Sequence, residues 1–366
     1  MDPRLAPMLQ EEPGWLLPGG PLGDVVVASR VRLARNVEQL AFPLQLDAAA
    51  ADQLAAAASE NLRQLAEAEQ AEDHGLVLDP RSLGMADADF VVERSLATRD
   101  LMTAERPTLI YCGSKGLEGV MVNEEDHFRI QGLAAGMDLE SAFERAQKLE
   151  RHLKKAFEFA VSDRYGFLTA CPTNTGSGMR ASLMLHLPAL SRAKAPMQRA
   201  LQAARSASLA VRGVHGEGSR ALGHFFQISN QRTLGQSSAE QLKAVADFGQ
   251  EVSDYEHRTR EAFRKEEGGG AVLREDLQSA LETVKDSSAL TTAQALDALS
   301  TLRLGSLLEI TDPLGFACSA ERLLSLSFKL QPGHLQAYSG KEMSPEERDA
   351  ARAGYVRREL GFEGAV

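Results

Sequence analysis

The 366-residue chain is poor in cysteine, with only Cys112, Cys171 and Cys318. An odd and scattered set of cysteines does not support a disulfide framework, and no Cys-x-x-Cys or Cys/His spacing indicates a zinc site. The sequence also lacks an apolar run near the roughly 18 residues of a membrane-spanning helix. Its N-terminal segment has acids and prolines where a signal peptide needs a basic start and an apolar core. These absences predict a cytoplasmic protein without a membrane partner.

Basic residues are in the minority, because 40 Lys and Arg stand against 51 Asp and Glu and give a formal net charge of −11. A surface this acidic argues against direct nucleic-acid binding, although a local basic cluster can still hold phosphate groups. The chain also lacks the GxxxxGK[ST] phosphate loop and the Rossmann fingerprint. A nucleotide site would therefore have to be built from other residues.

The hydrophobic pattern divides the chain into an α+β domain over residues 1–255 and an all-helical domain over residues 256–366. Short apolar and β-branched runs predict strands at residues 108–112, 119–123, 166–171, 206–214 and 224–230. Apolar residues at spacings of three and four predict helices at residues 46–70 and 139–161, and three glycines at 268–270 predict a loop.

Five arginines lie where apolar segments become polar, namely Arg30, Arg32, Arg129, Arg180 and Arg212. The planar guanidinium fork of arginine matches the geometry of phosphate oxygens. The glycine-rich stretch "TNTGSGMR" leaves backbone N–H groups accessible to an anion. Each stretch alone is also typical of a surface turn, but together they favour a site that binds a triphosphate.

Two acids, Glu125 and Glu217, lie close to these arginines in the sequence. If the arginines hold ATP, a carboxylate pair suits an acceptor that carries a guanidinium group. Such a group has a pKa above about 12 and must lose a proton to act as a nucleophile. A carboxylate can orient it and accept that proton. The alternative for Glu125 is an i,i+4 salt bridge to Arg129, worth only a few tenths of a kcal/mol if exposed.

Four stretches, "NEEDHFRIQ", "CPTNTGSGMRAS", "RGVHGEGS" and "QISNQRTLG", resemble in order and spacing the catalytic domain of the phosphagen (guanidino) kinases over about residues 24–245. The chain has no counterpart of the separate N-terminal helical domain of arginine and creatine kinases, and it has a C-terminal helical region instead. That combination resembles the bacterial protein-arginine kinases of the same superfamily. The resemblance implies an α+β catalytic domain, with an antiparallel sheet flanked by helices, followed by the helical domain.

The resemblance also implies roles for individual residues. Glu125 and Glu217 match the catalytic carboxylates, and Cys171 matches the cysteine beside the guanidino group. ATP would bring Mg²⁺ through its phosphates, with no dedicated metal site in the protein. Departures from the family occur at Ser95 and Arg220. The residues expected to contact ATP are Ser29, Arg30, Val31, Arg32, Leu33, Arg129, Arg180, Ala181, Ser182, Leu183, Met184, Arg212, Gly213, Val214, His215 and Gly216.

The C-terminal stretch "MSPEERDAARAGYVRREL" predicts a helix with Ser344 as N-cap in a capping box. Arg348 and Arg352 are i,i+4 neighbours on one face, with Asp349 beside them. The spacing alone also suits a solvated charged helix. The stretch is similar to the RDxxRA motif of the protein-arginine kinases, and this resemblance implies an allosteric phosphoarginine site at Arg348, Asp349 and Arg352.

The resulting expectation is an ATP-dependent kinase of arginine side chains in proteins, with a role in stress-response regulation or degradation. By the resemblance, its partners would include a zinc-binding activator protein, a transcriptional repressor and a Clp-type protease, and it would form a homodimer through the C-terminal domain. Two alternatives stay open at this point. One is a kinase of free arginine or another small guanidine, and the other is a non-catalytic phosphoarginine reader or adaptor.

Overall fold

The computed structural model describes residues 1–68, 75–214, 221–265, 269–310 and 317–362. Within these ranges, the chain up to residue 230 alternates strands with helices and the chain from residue 238 onward contains only helices. The strands are β1 Val26–Arg35, β2 Leu76–Leu78, β3 Leu109–Cys112, β4 Glu118–Val122, β5 Phe128–Ala135, β6 Val161–Ser162, β7 Gly166–Phe167, β8 Met179–His186, β9 Leu209–Gly213 and β10 Phe225–Asn230.

The helices of the first part are α1 Ala6–Gln10, α2 Ala48–Ala68, α3 Met85–Glu93, α4 Arg99–Met102, α5 Leu139–Leu153, α6 Pro188–Arg192, α7 Lys194–Ser206 and α8 Ser238–Lys265. Those of the second part are α9 Gly269–Asp286, α10 Thr292–Leu307, α11 Ala320–Lys329, α12 Pro332–Ser339 and α13 Pro345–Glu359. In the described residues no helix is both long and apolar enough to cross a membrane.

The sheet of eight strands has the order β2-β3-β4-β5-β1-β8-β10-β9, and each neighbouring pair is antiparallel. One face packs against α2, α5 and α8, where Val31, Leu33 and Leu183 are buried in the main core. Part of the opposite face is covered by the C-terminal helices, which bury Ala28 and Leu133. The predicted fold class, an antiparallel sheet flanked by helices and followed by a helical region, is confirmed.

The predicted helix at 46–70 is confirmed as α2 over Ala48–Ala68, with Leu54, Ala58, Leu62 and Leu65 buried in the core, and residues 69 and 70 lie outside the described residues. The strands predicted at 108–112, 119–123 and 224–230 are also confirmed, within two residues at each end.

The helix predicted over 139–161 is wrong in its second half, because α5 ends at Leu153. The apolar spacing continues beyond that point for another reason. The ring centroids of Phe157 and Phe159 lie 4.9 and 6.2 Å from that of Phe128, so both join the core from the irregular segment after α5, where Phe159 forms an isolated β-bridge with Val37.

Three further local predictions need correction. The strand predicted at 166–171 is only the two residues of β7, because the backbone N–H of Ala170 donates to the Asp126 carboxylate instead of a neighbouring strand. The strand predicted at 206–214 begins at Leu209, after a turn in which Ser208 has φ of 58°. The loop predicted at 268–270 is wrong from Gly269 onward, because Gly269 opens α9; residue 268 lies outside the described residues.

The predicted domain boundary at 255/256 falls inside α8, which runs without interruption from the first part into the second. Its first half packs Val245 and Val252 into the main core. Its second half is bound to α6 through Glu256, whose carboxylate accepts from the backbone N–H groups of Ala189 and Leu190 at 3.0 and 2.9 Å. The division of the chain into two domains stays a prediction.

Candidate active site

The predicted arginines project from one face of the sheet. Residues directly opposite each other on neighbouring strands share a face, and Arg32 lies opposite Arg180 while Ala34 lies opposite Arg129. Met184, on the same face of β8, lies opposite Gln227 of β10, which in turn lies opposite Arg212 of β9. Arg212 therefore shares this face. Because strand side chains alternate between faces, Arg30 shares the face with Arg32.

A cavity of about 530 Å³ opens on this face, and Arg32, Arg129, Arg180 and Arg212 all line it. The sheet therefore brings together four of the five arginines that the sequence singled out. Arg30 lies two residues along β1, beside a smaller neighbouring cavity that is also lined by Ser95.

Among the described residues that line the larger cavity, four are arginines and two, Glu125 and Asp126, are acids. Burial lowers the pKa of Arg30 to about 10, with a further contribution from Arg129. Burial and the charge of Arg30 lower the pKa of Arg32 well below its ordinary value. Burial, followed by Arg212 and Arg129, also lowers the pKa of Arg180. The Nε atoms of Arg32 and Arg180 are buried without a hydrogen-bond partner. Cations that are removed from water without enough counter-charges are costly, so this surface is suited to an anion.

One arginine of the cavity is held by an acid that the sequence analysis did not single out. Nη1 of Arg129 donates to both carboxylate oxygens of Glu124, at 2.7 and 2.6 Å. Glu124 also accepts from the hydroxyl of Thr98 at 2.7 Å and from the backbone N–H of Glu125 at 2.9 Å. The alternative of an ion pair between Glu125 and Arg129 is therefore wrong, because the pair forms with Glu124.

The turn that carries these glutamates is fixed on both sides. Asn123, in the left-handed region at φ of 56°, donates from Nδ2 to the carbonyls of Ala51 and Pro107 at 3.0 and 2.9 Å. At the other end, Nδ1 of His127 accepts from the backbone N–H of Val37 at 3.0 Å. Burial lowers the pKa of His127 to about 4, so it is a neutral structural residue.

Asp126 ties the turn to the segment before Cys171. Its carboxylate accepts from Nδ2 of Asn36 at 2.7 Å and from the backbone N–H of Ala170 at 2.8 Å. Cys171 lines the same cavity as Glu125, and its Sγ lies 3.0 Å from the hydroxyl of Thr173. The cavity therefore places a thiol and a carboxylate beside the arginine cluster.

Glu125 differs from its neighbours, because no hydrogen bond to its carboxylate is found among the described residues while it lines the cavity. Burial, together with the charge of Asp126, raises its pKa above the ordinary value. A carboxylate with a raised pKa and open access to a cavity is suited to act as a general base.

The other residues predicted to contact ATP lie in several places. Ser29 is buried and its hydroxyl donates to the carbonyl of Gly136 at 2.8 Å. Core-facing side chains on the opposite face of the sheet are Val31, Leu33, Ala181 and Leu183. Ser182 and Met184 lie on the arginine face near Arg30, and Gly213 and Val214 lie at the end of β9. His215, Gly216, Glu217 and Arg220 lie outside the described residues. ATP contact by these residues stays a prediction.

The cavity also has polar residues that the sequence analysis missed, namely Asp126, Thr173, Asn174, Asn230 and Gln231. Asn174 and Asn230 fall inside the quoted motifs, but nothing in a single sequence distinguishes an asparagine that lines a cavity from one that closes a turn. Asn174 accepts from Nη2 of Arg180 at 3.4 Å, and Asn230 accepts from the backbone N–H of Ala181 at 2.8 Å.

The C-terminal motif is divided between two environments. Arg352 is only 1% exposed, and its guanidinium donates to the carbonyls of Leu330 and Leu290 at 3.0 and 2.6 Å and to Asp349 at 2.5 Å. Arg348 lies one turn earlier on α13 and is half-buried. The predicted capping box at Ser344 is confirmed.

Two family models match the chain. Residues 52–259 match the C-terminal catalytic domain of ATP:guanido phosphotransferases, and residues 271–365 match the C-terminal domain of the protein-arginine kinase McsB. A protein-arginine kinase of Moorella thermoacetica is 36% identical over 357 residues, which cover 96% of this chain and 98% of that protein. The chain belongs to the protein-arginine kinase family. A second member of this family, from Bacillus pumilus, is 34% identical over 95% of the chain and 93% of its own length.

Solved structures of phosphagen kinases share the fold. The duplicated taurocyamine kinase from Schistosoma mansoni gives a TM-score of 0.53 at 25% identity, over 69% of this chain and 34% of that longer chain. A lombricine kinase gives a TM-score of 0.55 at 21% identity, over 68% of this chain and 70% of its own. The resemblance to the phosphagen kinases and to their protein-arginine branch is therefore confirmed.

Proposed function

We propose that this member of the protein-arginine kinase family transfers the γ-phosphoryl group of ATP to arginine side chains of proteins. The observation that carries the proposal is the cavity that places Glu125 and Cys171 beside four arginines. Cationic donors already in place stabilise the charge of a transferring phosphoryl group, and a carboxylate already in place activates the acceptor.

In the proposed reaction, the five arginines bind the phosphates of ATP, namely Arg30, Arg32, Arg129, Arg180 and Arg212. Glu125 accepts a hydrogen bond from the substrate guanidinium and takes its proton as a guanidino nitrogen attacks the γ-phosphorus. A new N–P bond forms, the P–O bond to the β-phosphate breaks, and ADP leaves. We assign to Cys171 a contact with the guanidino group and to Glu217 the role of second carboxylate.

We propose that Mg²⁺ enters the site bound to the nucleotide. Across the described ranges, no group of three or more His, Cys, Asp or Glu side chains is placed to hold a metal ion. The cationic cavity itself suits the phosphates, so we propose that the metal is held through them and supplies further charge neutralisation.

The remaining parts of the proposal concern regulation and partners. They include phosphoarginine binding at Arg348, Asp349 and Arg352, a homodimer through the C-terminal domain, and a cytoplasmic role in stress response. The proposed partners are a zinc-binding activator, a transcriptional repressor and a Clp-type protease. Their support is the match of residues 271–365 to the C-terminal domain model.

The test is a transfer assay with γ-labelled ATP, in which an arginine-containing protein and free arginine are offered separately. We expect label on the protein, in an acid-labile N–P linkage, and its loss in Glu125→Gln. Label on free arginine alone would favour a small-guanidine kinase. Absence of label on both, together with phosphoarginine binding, would favour a reader.

A further inference from the structure

Helix α10, in the C-terminal region, packs against the turn that leads into β10 and hydrogen-bonds to it. Gly223 in this turn has φ of 59°, and a Cβ there would lie 3.0 Å from Cβ of Leu296. The backbone N–H of Gly223 donates to the carboxylate of Asp297 at 2.8 Å. Glycine is therefore required both by the backbone conformation and by the close approach of the helix.

Ser300, one turn further along the same face of α10, lies between two histidines of the catalytic sheet. Its Oγ is 2.7 Å from Nε2 of His186, the last residue of β8, and 2.7 Å from Nδ1 of His224, which immediately precedes β10. Ser300 is 1% exposed and His186 is fully buried. The three groups thus form a buried hydrogen-bond chain between the helical part and the sheet.

Arg303 determines which groups donate and which accept in this hydrogen-bond chain. Its Nη1 lies 2.5 Å from Nδ1 of His186, and a guanidinium only donates hydrogen bonds. Nδ1 of His186 must therefore accept, which leaves the ring neutral with its proton on Nε2. That proton is donated to Ser300. We assign the hydroxyl proton of Ser300 to the hydrogen bond with Nδ1 of His224, which makes His224 an Nε2–H tautomer as well. Burial lowers the pKa of both histidines, in agreement with neutral rings.

The two histidines at the ends of this hydrogen-bond chain connect α10 to the strands around the cavity arginines. His186 closes β8, which bears Arg180. His224 leads into β10, whose Gln227 lies opposite Arg212 on β9. A displacement of the turn at His224 would therefore move the β9–β10 pair relative to β8, and with it the spacing between Arg180 and Arg212.

We infer that Ser300 is a positioning residue for phosphoryl transfer, which acts by holding the β10 turn so that Arg212 and Arg180 meet the same triphosphate. Asp297 supports it through Gly223. The inference depends on the proposed nucleotide site. A residue that serves stability alone would lower the amount of folded enzyme, whereas a positioning residue changes the affinity for ATP in the molecules that are folded.

The experiment compares Ser300→Ala and Asp297→Ala with Ser327→Ala as the matched control. Ser327 is 2% exposed in α11, but its hydroxyl donates only to the carbonyl of Leu323 in its own helix, at 2.9 Å. ATP affinity is measured by calorimetry on the folded full-length chains. Nitrogen-15 NMR of the imidazole rings reports whether His186 and His224 keep the Nε2–H tautomer.

We expect the Kd for ATP to rise roughly fivefold in Ser300→Ala and Asp297→Ala, as for the loss of one hydrogen bond. The Ser327→Ala protein should bind ATP like wild type. The imidazole shifts should change in Ser300→Ala and stay the same in the control.

Wild-type affinity in both test variants, or a protonated His186 in the wild-type spectrum, would overturn the inference alone. A wild-type protein that binds no ATP would instead overturn the proposed function, and the inference with it.

Discussion

Replacing Glu124 by glutamine is expected to destabilise the protein and to weaken ATP binding, although Glu124 does not line the cavity. Its carboxylate, only 3% exposed, holds Nη1 of Arg129 with both oxygens and also accepts from Thr98 and from the backbone N–H of Glu125. An amide keeps one acceptor but presents an NH₂ donor to these donors. Arg129 would then lose the carboxylate that fixes its position and would be repelled by the neighbouring arginines, so it would no longer be held where it lines the cavity.

The size of the effect follows from the burial of the pair. Removing one partner of a buried ion pair costs about 3–5 kcal/mol. Because 23% of the Arg129 side chain is exposed, part of the loss is screened by solvent and we expect about 3 kcal/mol. With an unfolding entropy of about 2.1 cal/mol/K per residue, this lowers the melting temperature by about 4 °C if the 366 residues unfold together.

The adjacent residue supplies the matched control. Glu125→Gln should leave the melting temperature unchanged or higher, because the raised pKa of Glu125 means that its ionised form is disfavoured in the folded protein. It should nevertheless lower kcat by about 10²–10⁴-fold through loss of the general base. Thermal melting, ATP calorimetry and steady-state kinetics on both variants therefore separate a stabilising glutamate from a catalytic one.

The pH dependence gives a further check on Glu124. Burial would raise its pKa, but the charge and hydrogen bonds of Arg129 outweigh burial and leave the pKa below the ordinary value. Its contribution to stability is thus present above the ordinary carboxyl pKa and is lost as the pH falls through the folded-state pKa. The difference in melting temperature between wild type and Glu124→Gln should therefore shrink as the pH falls. A Glu124→Gln protein with wild-type melting and ATP affinity would refute the reasoning.

Three other expectations follow from the site. Arg212→Ala should raise the KM for ATP and lower kcat together, and unchanged ATP kinetics would place Arg212 outside the site. In a pH profile of kcat/KM, which reports the free enzyme, the acid limb should lie above the ordinary carboxyl value because burial and Asp126 raise the pKa of Glu125, so a limb at the ordinary value would contradict its role as base. Phosphoarginine should shift the activity of the wild-type protein by a coupling energy of about 1–3 kcal/mol, and Arg348→Ala should abolish this shift without a change in melting temperature. Arg352→Ala should instead lower the melting temperature, because it removes buried hydrogen bonds.

The strands β5 and β8 show why part of the fold was not predicted. Both carry an arginine on the face that lines the cavity and small or apolar residues on the other face. That alternation is typical of a strand, but the charged residues and glycines next to it in the sequence are typical of a turn and outweighed it. The arginines are partly buried and line the cavity, and no local pattern distinguishes a functional charge on a sheet from a charge on an ordinary surface.

The same limit applies to the two glutamates. Sequence motifs predicted that Glu125 belongs to the site, and it does line the cavity. They could not assign Glu124, because the direction of each side chain is set by a turn with Asn123 in the left-handed region and by contacts to Ala51 and Pro107, which are distant in sequence. Adjacent residues of one type therefore have opposite pKa shifts and, we expect, opposite effects on stability.

The C-terminal motif extends this argument from one turn to one helix. The spacing of Arg348 and Arg352 correctly places them one helical turn apart, but it cannot say which of them is covered. Arg352 is buried because the carbonyls of Leu330 and Leu290 meet it there, and both come from other parts of the helical region. The Nε and Nη1 atoms of Arg352 already donate to carbonyls and to Asp349, so we expect a ligand at this helix to act first through Arg348.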